Sequence, residues 1–406
     1  MAEFREICLN RRALLILGGA LTVAAAGPGG AAVSPARRSW IPSDDFLRDL
    51  PRLMHVAGVP GLAIAVIENG QLAWTQGFGV KNSLTGDPVT DDTLFEAASM
   101  TKPVFAYLAM RLVDEGVLAL DRPLAEYRRP DYLSDDPALA RITVRDVLRH
   151  TSGLPNWATG PLATIAPPGS GYHYSGEAFV WLQLIVETLL GMGLDLAMRA
   201  RLFDPAGMPS STFGWDGAVA KAAVYGHDEE AKLPAQPTRA LGEALLPIAK
   251  RWGRPIASWT YEDSIRAMRE ADPATPPSTH NLLVNSAGGL LTTVSDYARF
   301  MALMMDGRRR AAWEVSEDSR RAMLTTQLEV RGPDYSRGLG WQLERSPGQR
   351  LFEHSGSNYG IFKTLGMGDA EKRRGIVIFT NATNGNALAA RVLRAATGIE
   401  LLKFLV

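Results

Sequence analysis

Two hydrophobic periods alternate along this chain. Residues 43–56 carry an apolar stripe of helical spacing and predict an amphipathic helix. Residues 62–68 and 72–80 are strand-like runs on either side of Glu68-Asn69-Gly70. An Asn-Gly pair between such runs predicts a hairpin. Val104, Phe105, Leu108, Leu112 and Val113 recur with a helical stripe and predict a helix over 103–117. Pro103 places the start of that helix close by, because proline is tolerated only in a first turn. From 118 to 335 the periods are mostly helical, broken by proline- and glycine-bearing loops, and 178–190 is one clear helical run. Residues 232–280 are proline-rich and read as an excursion of loops and short helices. Strand-like runs return at 339–343, 351–353, 362–367 and 376–380, and a helix over 387–396 closes the pattern.

Strands at both ends with helices between them predict an α+β fold. Residues 42–117 and 336–400 would build an antiparallel sheet flanked by helices. Residues 118–335 would form a mainly helical lobe, with the active site between the two. The first 32 residues read differently. Arg11-Arg12 precede an unbroken apolar stretch, 13–26, that ends in small residues. It is too short to span a bilayer and fits an export signal of twin-arginine type, cut after Ala26 or Ala32. The expected location is therefore periplasmic or extracellular, with no stable membrane span in the mature chain.

Composition narrows the function. The 406 residues hold 43 Lys and Arg against 43 Asp and Glu, a formal net charge of zero, which argues against nucleic acid as a partner. Cys8 is the only cysteine and lies inside the export signal, so thiol catalysis and thiolate metal sites are excluded from the mature part. His55, His173, His227 and His280 show no metal-ligand spacing, and no metal or other cofactor is expected. There is no Gly-x-Ser-x-Gly elbow, no P-loop and no Gly-x-Gly-x-x-Gly.

The chemistry concentrates in three segments. Ser99-Met100-Thr101-Lys102 sets a hydroxyl and an amine three apart, where one helix face brings them together. Tyr174-Ser175-Gly176 precedes the helical run at 178, and His354-Ser355-Gly356 precedes the strand-like run at 376. In order and separation these three resemble the Ser-x-x-Lys, Tyr-x-Asn and Lys/His-Thr/Ser-Gly elements of the β-lactamase-related serine hydrolases. Those include class C β-lactamases, D-Ala-D-Ala carboxypeptidases, D-aminopeptidases and β-lactamase-like carboxylesterases. Residues 60–79, 148–154, 287–300 and 338–341 resemble the family too, so the likeness covers roughly residues 42 to 400.

The resemblance implies the β-lactamase/transpeptidase-like fold and a set of roles. Ser99 is the nucleophile. Lys102 takes its proton or tunes the base, and Tyr174 shares that proton, with the choice of base left open. The N–H groups of Ser99 and Ser357 form the oxyanion site. His354, Ser355 and Gly356 line the substrate, Gly356 letting it approach the strand edge. Lys363-Thr364 is set aside as a rival to this element because Leu365 stands where glycine is needed.

Two positions depart from the family. Gly176 replaces the asparagine whose amide would bind an acyl-amide. His354 replaces a lysine, and its charge is partial near neutral pH. Both disfavour β-lactam hydrolysis and leave ester cleavage possible. Glu177 reads as a helix-start carboxylate and His150 as structural. Tyr172, His173 and Trp157 could line the cleft, with core packing the stronger reading. The expected function is an exported serine hydrolase acting on a small ester, peptide or β-lactam through an acyl-enzyme on Ser99. A carboxylesterase ranks first, a D-amino-acid peptidase second and a weak β-lactamase third. A non-catalytic penicillin-binding-like protein is the alternative from another class.

Overall fold

The computed structural model describes residues 39–274, 278–305, 311–346 and 348–404. The proposed export signal and Cys8 lie outside the described residues.

Ser43 caps the first helix, Asp44–Ala57, by accepting from the Phe46 N–H at 3.3 Å, and Gly58 ends it with φ of 63°. Two strands follow, β1 (Gly61–Glu68) and β2 (Gln71–Gly79). Asn69 and Gly70 take positive φ between them, the hairpin turn that the Asn-Gly pair predicts. A short strand β3 (Phe95–Glu96) pairs with a distant β4 (Leu291–Thr292). The C-terminal part adds β5 (Leu328–Glu329), β6 (Tyr335–Arg337), β7 (Gln342–Ser346), β8 (Gln349–Asn358), β9 (Phe362–Asp369) and β10 (Arg374–Thr380). Eight of these strands form one antiparallel sheet in the order β2-β1-β10-β9-β8-β7-β6-β5.

Both faces of the sheet are covered, and strand alternation sorts the side chains. Leu62, Ile64 and Val66 of β1 pack with Leu50, Met54, Leu388 and Val392 from the first helix and the last, Gly385–Thr397. Ala63, Ala65 and Ile67 face the opposite core with Val377, Phe379, Phe105 and Met301. That side carries the helices Thr101–Asp114 and Val294–Met305. A mainly helical part, including Glu177–Leu190, Pro237–Trp252 and Tyr261–Ala271, continues the same core through Phe179, Trp181 and Leu245.

Four elements differ from the pattern reading. The stretch at 232–280 is built mostly of two helices, Pro237–Trp252 and Tyr261–Ala271, rather than loops and short helices, the first opening on a proline and tolerating Pro247 inside it. Helix Thr101–Asp114 is buried from Thr101 through Leu112, on every face and not along one stripe, because it lies between the sheet and the helical part. The run at 339–343 is mostly a turn, with β7 starting at Gln342. A Cβ on Gly340 would meet Ala106 Cβ at 2.6 Å, and one on Gly338 would meet Met323 O at 2.0 Å. These glycines bring the turn against its neighbours rather than extending a strand. Finally, β8 continues well past 353, through His354-Ser355-Gly356-Ser357, where polar residues hide the alternation. No helix among the described residues is long and apolar enough to cross a membrane alone.

Candidate active site

The sequence element at Ser99 folds as a short 3₁₀ turn, Ala98–Met100, leading directly into helix Thr101–Asp114. Ala98 holds φ of 50°, a conformation that costs a non-glycine residue roughly 1–2 kcal/mol. The neighbours that impose it are identifiable. Ala97 N–H donates to Leu290 O at 2.9 Å, and Thr364 Oγ1 donates to Ala97 O at 2.9 Å. Thr101 Oγ1 donates to Ala98 O at 2.6 Å, and Tyr297 OH donates to Met100 O at 2.8 Å. Thr364, set aside as a substrate-binding element, thus fixes the nucleophile's turn.

Gly356 has the same purpose. A Cβ there would meet Thr364 Oγ1 at 2.4 Å, Ala97 O at 2.5 Å and Ala98 Cβ at 2.8 Å. Besides the expected approach of substrate to the strand edge, Gly356 makes room for the turn that carries Ser99.

Lys102 Nζ lies 3.3 Å from Ser99 Oγ and donates to Ala287 O at 2.8 Å. The lysine is buried with no carboxylate partner among the described residues, and burial, helped by the Arg337 charge, pulls it from its ordinary 10.5 down to about 7. Tyr174 hydrogen-bonds Ser99, and the Lys102 ammonium sits 4.7 Å over its ring. Burial pushes the phenol up to about 12, so it stays protonated at neutral pH. Ser99, Lys102 and Tyr174 are therefore brought together by the fold, with Lys102 the member that titrates near neutrality.

His150 supports this triad. It adopts φ of 60°, stacks on Tyr174 at 4.4 Å and accepts the Ser175 N–H on Nδ1 at 3.2 Å. Burial holds it well below the usual histidine range, as a neutral ring. His354 is buried too, and its Nδ1 donates to Ser355 O at 2.8 Å. Burial first, then the Arg337 and Lys102 charges, keep it far below its ordinary pKa. The partial charge expected of His354 near neutral pH is replaced by a neutral ring. The fixed positive charge belongs to Arg337, which the sequence reading missed. Its guanidinium donates to Tyr172 OH at 2.5 Å, and its buried Nε has no partner among the described residues.

Ser357 lies on the part of β8 that extends beyond Glu353, where β7 no longer pairs with it. It lines the same cleft as Ser99, and its hydroxyl accepts from Lys363 Nζ at 2.8 Å. The cleft encloses about 730 Å³, open solvent included, and is lined by Ser99, Lys102, Asn285, Leu241, Glu96, Asn358 and Tyr359 among others. Thr238, Leu241 and His280 come from the proline-rich excursion at 232–280.

Trp157 is a wall of the cleft. Its ring stacks on His280 at 4.5 Å and fills the space beside Gly176, where a Cβ would meet it at 2.4 Å. Glu177 lies behind this wall, accepting Ala158 N–H at 2.9 Å and Thr279 Oγ1 at 2.7 Å. Among the described residues no group of three or more histidine, cysteine or acidic side chains could hold a metal ion.

The beta-lactamase family model matches residues 47–399. The chain is 25% identical over 287 residues to an unguisins hydrolase, ungD, of Aspergillus violaceofuscus (strain CBS 115571), covering 64% of this chain and 45% of that protein. It is also 25% identical over 313 residues to the esterase EstB of Burkholderia gladioli, covering 68% and 74% of the two chains. The solved D-alanine carboxypeptidase AmpC of Burkholderia cenocepacia superposes with a TM-score of 0.65 at 21% identity, covering 88% of this chain and 99% of that one. That likeness carries the fold alone. The chain spans less than half the length of the fungal hydrolases it matches.

Proposed function

This chain belongs to the beta-lactamase family, whose members include serine esterases, peptidases and β-lactamases, and on that premise we propose that it is an acyl hydrolase using Ser99 as nucleophile. One observation carries the reading: a buried Lys102, drawn down to about 7, with its amine 3.3 Å from the Ser99 hydroxyl.

Ser99 Oγ attacks the substrate carbonyl while its proton passes to the neutral Lys102 amine. The N–H groups of Ser99 and Ser357 take the oxyanion. The tetrahedral adduct collapses, the bond to the leaving group breaks, and the leaving group receives a proton from Lys102 directly or through the Tyr174 hydroxyl. Water then attacks the Ser99 ester by the same route in reverse and frees the acid.

Ester cleavage is the first reading, since Gly176 offers no side-chain amide and Trp157 occupies its place. Peptidase action at a terminal carboxylate is the second. Arg337 favours it, because a buried guanidinium with an orphaned Nε beside the site suits an anion. The export signal read in residues 1–32 puts this activity outside the cytoplasm, and N-terminal sequencing of secreted protein tests for a cut after Ala26 or Ala32.

The first experiment is hydrolysis of a short-chain p-nitrophenyl ester and a chromogenic cephalosporin by the protein and by Ser99→Ala. Ester turnover lost in the variant, with little cephalosporin turnover, supports the reading. Ester turnover retained in the variant removes Ser99 as nucleophile. Activity on neither substrate, with no labelling by a covalent serine probe, favours a binding protein.

A further inference from the structure

Glu96 lies three residues before the nucleophile, on β3, and its side chain lines the same cleft as Ser99. It is 8% exposed, and it makes no ion pair among the described residues. One carboxylate oxygen accepts Asn358 Nδ2 at 2.7 Å, and the Thr238 hydroxyl supplies a second contact. A carboxylate has about four acceptor positions, so these two donors leave it unsaturated. Arg239 is nearby, yet its guanidinium is committed to Ala220 O at 3.0 Å and Ala223 O at 3.1 Å and is stacked over Tyr225 at 4.0 Å. Burial without a paired cation pushes Glu96 up to about 7.

A carboxylate this buried is stabilised by a partner charge or a full set of donors. Nothing in the Ser99 chemistry uses it. The cleft that Ser99 and Glu96 share is also lined by Leu241, Leu283 and Leu291, which suit an aliphatic stem. The polar end is set by Glu96, Asn358 and Thr238. We propose that Glu96 is a specificity-determining residue that receives a primary ammonium group carried on an aliphatic acyl chain of the substrate. The proposal rests on the acyl-hydrolase reading and names the substrate class for it. The bound ammonium supplies the missing charge, and two of its three N–H donors fill the free acceptor positions.

The test uses the p-nitrophenyl esters of ω-aminohexanoic acid and heptanoic acid, which differ by an ammonium or a methyl at the far end. The expected result is that the ratio of kcat/KM, amino ester over heptanoate, falls tenfold or more in Glu96→Gln. A ratio equal in the two proteins overturns the proposal, including the case in which both esters slow in parallel, as a merely structural role would give. Calorimetric titration with ω-aminohexanamide reads the same site without turnover. Binding to Ser99→Ala that weakens at least tenfold in Ser99→Ala/Glu96→Gln supports it, and equal binding or none overturns it. Ester turnover surviving in Ser99→Ala would break the nucleophile assignment alone, and the titration would still decide on Glu96.

Discussion

Lys102 and Arg337 show how much of this site depends on single charges held out of water. With Lys102 drawn down to about 7, the neutral amine that accepts the Ser99 proton is depleted in acid. The rate kcat/KM for an ester is expected to rise about tenfold per pH unit below 7 and to level off above it. A flat profile between pH 5 and 7 would remove Lys102 as the base. Lys102→Met is expected to lower kcat/KM by about a thousandfold or more, since base and nucleophile act as a unit. The same shift has a stability consequence with a definite sign. Between about 7 and the ordinary 10.5 the unfolded chain holds the Lys102 proton and the folded one does not, so this residue's contribution to stability climbs with pH across that window. Arg337 belongs to the second reading. In Arg337→Gln, kcat/KM for peptides with a free terminal carboxylate is expected to fall at least tenfold more than for neutral esters, the magnitude of one charged hydrogen bond. Equal losses on both would mean that Arg337 only shapes the site. The sequence displayed Ser99, Lys102 and Tyr174 because each sits in a short motif. Arg337 and Glu96 have no such flag, since each acts through a charge that only burial in the fold makes unusual.

At the level of elements, the legible parts were those whose own pattern decides their structure. The β1–β2 hairpin follows from Asn69-Gly70, and the first helix from its stripe and the Ser43 cap. Strand β8 was half legible, because His354-Ser355-Gly356-Ser357 lacks alternation and is held extended by pairing with β9, His354 opposite Gly366 and Gly356 opposite Thr364. That pairing makes Gly356→Ala a test of architecture. Its methyl would press on Ala97 and Thr364, and the variant is expected to lose ester turnover by at least a hundredfold while its circular dichroism stays native. Near-normal turnover would mean that the Ser99 turn can shift at no penalty. A second element-scale tie is Glu177, whose carboxylate joins the loop at Ala158 to the turn at Thr279. In Glu177→Ala, amide hydrogen exchange is expected to quicken in both segments together, 156–158 and 278–281. Quickening in one alone would show that the carboxylate does not couple them.

The whole molecule assembles one cleft from segments far apart in the chain: 96–102, 156–157, 238–241, 280–291 and 357–359. The family likeness made the architecture legible from the order of three motifs. The cleft's far end was not, because Thr238, Leu241 and His280 arrive from the proline-rich excursion, whose path no local period encodes. A site gathered this way exists only when both halves of the core are in place. Guanidinium titrations followed by ester turnover and by tryptophan fluorescence are therefore expected to share one midpoint. Activity lost well before fluorescence would show that the excursion opens on its own.

The tryptophan lodged beside Gly176 also couples two positions. A Cβ at 176 would meet the outer ring atoms of Trp157 at 2.4 to 2.8 Å, so any side chain there requires the indole to turn aside or to be replaced by something smaller. Restoring an amide at 176 is therefore a change of two residues rather than one, and it opens the wall that the indole makes.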